Sequence, residues 1–187
     1  LQGADGHFAG EGAVGMTDHR ARILFADDDA AGLLVAQAAL EEGGYEVCCA
    51  EDGDRALALY TEQPPDCLVL DIMMPKRNGF EVCRAIRAMP GGKDVPILIL
   101  TSRDDVESVA QAYDSGATDF ATKGISTRLL VERVRFLLRE HEFRRALVVS
   151  RSRLRMVQNM ARVGHWEVDD NGRTLHMSSL VQSLLYE

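Results

Sequence analysis

Residues 67–87 read CLVLDIMMPKRNGFEVCRAIR, and the order of residue types in this stretch decides the fold. CLVL is a continuous apolar run of the kind that suits a strand buried on both faces, and Asp71 closes it. A Pro-Lys-Arg-Asn-Gly segment comes next, then an amphipathic stretch over 79–89 that Pro90-Gly91-Gly92 brings to an end. The unit is therefore strand, turn, helix, with a carboxylate at the carboxyl end of a buried strand.

Working outward, the same unit recurs on both sides. Apolar runs ILFA (23–26), YEVCCA (45–50), PILIL (96–100) and TDFAT (118–122) flank the central one. Helical patterns lie between them at 30–42, 54–62 and 104–115, closed by Gly43-Gly44, Pro64-Pro65 and Gly116. Five strands alternating with helices predict an α/β fold, a doubly wound five-stranded parallel sheet whose crevice opens at the carboxyl ends of the strands. Asp27, Asp28 and Asp29 come directly after the first strand, Asp71 ends the third, Thr101 the fourth, and Lys123 comes after the fifth. Carboxylates gathered at one edge repel one another unless a cation offsets them, and hard oxygen donors of this kind suit Mg²⁺. With a lysine and a threonine hydroxyl beside them, they predict a phosphate or phosphoryl site.

The set ILFADD, LVLDIMMPKRNGFEVCRAIR, ILILTS and GATDFATK resembles the receiver domain of two-component response regulators, over about residues 20–140. The resemblance implies the flavodoxin-like strand order 2-1-3-4-5. It makes Asp71 the phosphoacceptor and Asp27, Asp28, Asp71 and the backbone carbonyl of Met73 the Mg²⁺ ligands. It also makes Lys123 the phosphate-pairing lysine, Thr101 the switch hydroxyl, and Phe120 the aromatic that turns with it. The implied donor is a histidine kinase or phosphotransfer protein, and the chain would do no enzymology beyond phosphorylating and dephosphorylating itself. Met73 and Met74 themselves are expected to pack. Gly124 stands where the family commonly has a cis proline, so a trans peptide and a looser loop are expected there, with Gly124→Pro tolerated, and stabilising where the backbone suits proline. Asp29 either adds negative charge or caps the first helix.

Beyond residue 126 a helical pattern without Gly or Pro runs to Val163. Its second half carries a stripe at alternating four- and three-residue spacing, Phe143, Leu147, Ser150, Leu154, Val157 and Ala161. That is the seam of a coiled coil, and it predicts a parallel homodimer through the 143–161 helix. From Arg128 to Arg162 there are ten Arg against three Glu, a basic segment in a chain of net charge −8. No helix-turn-helix pattern accompanies it, so a nucleic-acid partner is not expected. The tail GHWEVDDNGRTLHMSS reads as strand, turn, strand and resembles the start of a PAS sensory domain. The expected organisation is a leader over 1–19 (with Met16 a natural start), a receiver over 20–140, a signalling helix over 141–162 and an incomplete PAS-like segment over 163–187. Sequence beyond residue 187 would then carry an output such as a histidine kinase or diguanylate cyclase.

The rest is exclusion. Hydrophobic residues make up 46% and charged residues 27%, a globular balance. Cys48, Cys49, Cys67 and Cys83 form no CxxC pair, which predicts free thiols in a reducing cytoplasm. No apolar run approaches the roughly 20 residues that span a bilayer, so no membrane role is expected. An aspartyl-nucleophile hydrolase would usually have a second acid two residues after Asp71, where Met73 stands. A stand-alone module that dimerises on phosphorylation stays open as an alternative to a relay.

Overall fold

The computed structural model describes residues 20–102, 106–160, 166–170, 174–177 and 181. By contacts the chain divides into two compact units, with the division between Arg135 and Phe136.

The first unit holds five strands, β1 (Arg22–Ala26), β2 (Glu46–Ala50), β3 (Cys67–Asp71), β4 (Ile97–Thr101) and β5 (Asp119–Thr122). They form one sheet in the order β2-β1-β3-β4-β5, and every pairing is parallel. β3 and β4 are buried at all five positions, which is why their sequences are unbroken apolar runs with no alternation. The helices are α1 (Ala30–Glu42), α2 (Gly53–Glu62), α3 (Gly79–Ala88), α4 (Val106–Asp114) and α5 (Thr127–Met160). The expected boundaries agree to within two residues for α1, α2 and α3; residues 104 and 105, expected to begin the fourth helix, lie outside the described residues.

Side-chain caps start α1, α2 and α3. Asp29 accepts from the Ala31 N–H, and Asp52 from the Arg55 N–H. Asn78 and Glu81 form a reciprocal capping box at α3. Asp29 is thus a helix cap, one of its two expected readings.

One core cluster under the sheet gathers Leu24, Leu68, Leu70, Ile97 and Ile99 with Phe80, Val82 and Ile86 from α3. Arg87 comes after this apolar stripe and is held among backbone carbonyls. Its Nε donates to Gly116 O at 2.7 Å, and its Nη1 to Gly92 O at 2.6 Å and Val95 O at 2.8 Å. One side chain therefore ties the end of α3 to the entries of β4 and β5. Burial pulls its guanidinium below the usual arginine range.

In the second unit, α5 continues to Met160, and β6 (Trp166–Val168) pairs antiparallel with β7 (Thr174–Met177). These are the two strands expected in the tail; residues 171–173 of the connecting turn, and Ala161, lie outside the described residues. Among the described residues no helix is long and apolar enough to cross a membrane.

Candidate functional site

Parallel strands end on one edge, so this topology carries residues far apart in sequence to one place. Asp27 lies just past β1, Asp71 ends β3 and Lys123 lies just past β5. One carboxylate oxygen from each of Asp27, Asp28 and Asp71 lies within 4.8 Å of the others. Asp27 and Asp71 are buried, 5% and 1% exposed, while Asp28 faces solvent. The Lys123 ammonium sits 2.8 Å from Asp71 Oδ2 and 3.2 Å from Asp27. Thr101, also buried, pairs in register with Thr122.

Asp71 Oδ2 is a buried oxygen without an aligned hydrogen-bond donor, although the ammonium is close. A buried anionic oxygen left so is costly, and three convergent carboxylates against one lysine leave an excess of negative charge. Burial pushes the Asp71 carboxyl above the usual aspartate range; Lys123 opposes that, and Asp27 adds to it. For Lys123 burial works downward, and the attraction of the Asp71 and Asp27 carboxylates beside it more than offsets it, so its ammonium titrates above the ordinary lysine value. The donor set fits a small divalent cation that prefers carboxylate and carbonyl oxygens, Mg²⁺ above all.

The raised carboxyl has a consequence for stability. The folded chain holds a proton on Asp71 at pH values where the unfolded chain has lost it. Stability from this group therefore falls as pH rises from the unfolded value near 3.8 through the folded one. In metal-free protein Asp71→Asn is expected to stabilise the fold by about 1 kcal/mol at neutral pH. The gain should shrink as the pH is lowered towards 4, because protonation of the wild-type carboxyl progressively relieves the same buried charge. Urea unfolding of both proteins in chelator at pH 7.5 and 4.5 measures it. An equal gain at both pH values would contradict the account.

The loop after β3 is held from outside the sheet. Lys76 pairs with Asp52 at 2.6 Å and Arg77 with Asp54 at 2.7 Å, clasping the loop to the start of α2. Lys76 takes a positive φ of 64°, unusual for a residue with a side chain. Gly79 is required by close approach, since a Cβ there would lie 2.3 Å from the Asp71 carbonyl oxygen. The Met73 N–H donates to the Asp71 carboxylate. Its side chain is 69% exposed, so the expected packing role holds for Met74 but not for Met73. The reason is geometric: the loop turns Met73 outward while its peptide faces Asp71.

Phe120 is half-buried against the core and meets the ring of Tyr113 edge-on, centroids 5.8 Å apart. No peptide among the described residues is cis, so Lys123–Gly124 is trans. Gly124 has φ 89°, however, and proline is locked near −65°, so the tolerance expected for Gly124→Pro does not hold. The sequence shows no sign of this positive φ beyond the glycine itself.

Comparison with known proteins agrees with this geometry. The response regulator MprA of Mycobacterium leprae is 44% identical over 118 residues, which are 63% of this chain and 51% of the relative. The chain thus spans about half the length of the curated relatives it matches. The chemotaxis response regulator CheY4 of Vibrio cholerae is 30% identical with a TM-score of 0.62, covering 64% of this chain and 99% of that one. A signal receiver domain of a signal transduction histidine kinase from Syntrophus aciditrophicus is 28% identical with a TM-score of 0.60, covering 64% and 91%. A family model described as the response regulator receiver domain matches residues 23–135, and the chain belongs to that family.

Proposed function

We propose that Asp71 accepts a phosphoryl group from a phosphohistidine on a histidine kinase or phosphotransfer protein. A carboxylate oxygen of Asp71 forms the new P–O bond as the donor's P–N bond breaks, and the electron pair stays on the imidazole nitrogen. Lys123, already between Asp71 and Asp27, meets the phosphoryl oxygens as they gain charge. Mg²⁺, held by Asp27, Asp28, Asp71 and the Met73 carbonyl, would offset the negative charge of the same oxygens. Thr101 supplies a hydroxyl to the new phosphate, and Phe120 moves with it, loosening its edge contact with Tyr113.

One observation carries this reading: a carboxylate only 1% exposed, with an oxygen lacking an aligned donor, facing a lysine and two further acids. Acetyl phosphate with Mg²⁺ should add one phosphoryl group by intact mass, and none in Asp71→Asn or in chelator. Label persisting in Asp71→Asn would sink the assignment. Mass is the preferred readout because the one tryptophan, Trp166, belongs to β6, outside the receiver sheet.

The output is a relay. α5 leaves the receiver sheet and continues as a helix with an exposed apolar stripe, which we assign to pairing with a second copy. We read the β6–β7 hairpin as the opening of a PAS-like segment to which the helix would pass the signal. A net charge of −8 argues against a nucleic-acid partner, and the free thiols fit a reducing cytoplasm.

A further inference from the structure

The exposed stripe on α5 holds more than its spacing. Phe143, Leu147, Leu154 and Val157 are 55–71% exposed, a row of large apolar side chains facing water. Writing the heptad with Leu147 and Leu154 at a places Phe143, Ser150 and Val157 at d. Going back by the same steps, Phe136 falls at d and is 64% exposed, and Glu140 falls at a. A groove of about 410 Å³ lies on this face, lined by Ala146, Val149, Ser150, Arg153, Leu154 and Val157. Four of these, Ser150, Arg153, Leu154 and Val157, occupy positions d, g, a and d. That is the set of four that receives an a-position side chain from a parallel partner in register. The small Ser150 leaves the room.

We infer that this groove takes Leu154 of a second copy, in a parallel, in-register pair whose strength is set by an arginine at each edge. This deepens the self-pairing reading above and rests on it. In such a pair each g position meets the e position five residues further along the other chain. Arg139 then faces Arg144 of the second copy, Ala146 faces Arg151, and Arg153 faces Gln158. None of the three is attractive, and the first is repulsive. Arg144 is already engaged within its own helix by Glu140. In the aligned register Glu140 meets Glu140 of the second copy, a further like-charge layer that each carboxylate's own pair with Arg144 only eases. The seam is thus apolar enough to pair and cationic enough at its edges to pair weakly, which suits a contact that phosphorylation is to bias.

Charge reversal tests this on the full chain. Arg139→Glu would face Arg144 of the second copy twice per dimer, replacing repulsion by attraction. Sedimentation equilibrium should show its dissociation constant lowered by roughly tenfold relative to wild type. Leu154→Glu should be monomeric, with unchanged helix content by circular dichroism. If Arg139→Glu pairs no more tightly than wild type, the parallel register is wrong. If neither wild type nor Arg139→Glu associates at tens of micromolar, the stripe serves another partner, such as a helix with acidic edges, and the inference falls. Labelling by acetyl phosphate in the same samples reports on Asp71 independently, so failure of the seam and failure of the phosphoacceptor reading are separable.

Discussion

Arg87→Ala is expected to lower the unfolding free energy by about 3–5 kcal/mol, enough to unfold much of a marginal domain. The guanidinium supplies three hydrogen bonds of 2.6–2.8 Å to the carbonyls of Gly92, Val95 and Gly116 and a longer one to Thr118 Oγ1. Truncation leaves these part-buried acceptors without their donor, and each unsatisfied one costs about 1–3 kcal/mol before relaxation. The stem matters too, because Arg87 Cγ lies against Gly116. Arg87→Lys should recover only a minor part of the loss, since one ammonium cannot reach three carbonyls spread across two loops. Urea denaturation monitored by circular dichroism measures both variants. A loss below about 1 kcal/mol for Arg87→Ala would mean the loops re-form their contacts without the side chain.

Gly79→Ala should lose about 3 kcal/mol of stability and at least tenfold in the rate of phosphorylation by acetyl phosphate. The added methyl would sit 2.3 Å from the Asp71 carbonyl oxygen and 3.2 Å from the Ile72 Cα, so what must move is the backbone that aims the acceptor carboxylate. Gly91→Ala is the matched control. Its backbone φ is 77°, yet nothing lies within 4 Å of the new methyl. It should lose about 1 kcal/mol from backbone strain alone, with phosphorylation unchanged. Equal phosphorylation rates in wild type and Gly79→Ala would show that Gly79 shapes the loop without positioning Asp71.

The sheet was legible because its strands are buried on both faces: ILFA, CLVL and ILIL have no other reading once glycines and prolines punctuate them. The edge residues were legible for the same reason, since a residue just past a parallel strand has only one edge to occupy. Asp27, Asp28, Asp71 and Lys123 do meet there. What could not be read depended on tertiary neighbours. Arg87 resembles any arginine near a helix end, and the only hint was its place beside the stripe of Cys83 and Ile86, where a charge needs buried partners. The clasp of Lys76 and Arg77 onto Asp52 and Asp54 joins residues 24 and 23 apart through exposed side chains that no local pattern marks. Gly124 misled in a different way. Its place in the family pattern implied that proline would be tolerated there, whereas the structure uses a positive φ that excludes proline.

The strand order has a consequence for how the molecule acquires its chemistry. The site takes Asp27, Asp71 and Lys123 from three strands, two of them neighbours and the third at the sheet's far edge, with β4 between. Hairpin-like local pairing cannot assemble it, because every neighbouring strand is reached by a crossover and loop closure must precede contact. A nascent chain stopped before residue 123 holds all three acids and lacks the lysine that faces two of them. A ligand that needs the lysine as well as the acids therefore binds the finished fold in preference to its partial forms. Its binding energy then adds to the native state's margin over them, by up to RT ln(1 + [L]/Kd). On the proposed chemistry, a chain that has not closed its fifth strand lacks the ammonium that meets the incoming phosphoryl oxygens, so reception of the signal and completion of the fold draw on the same strand.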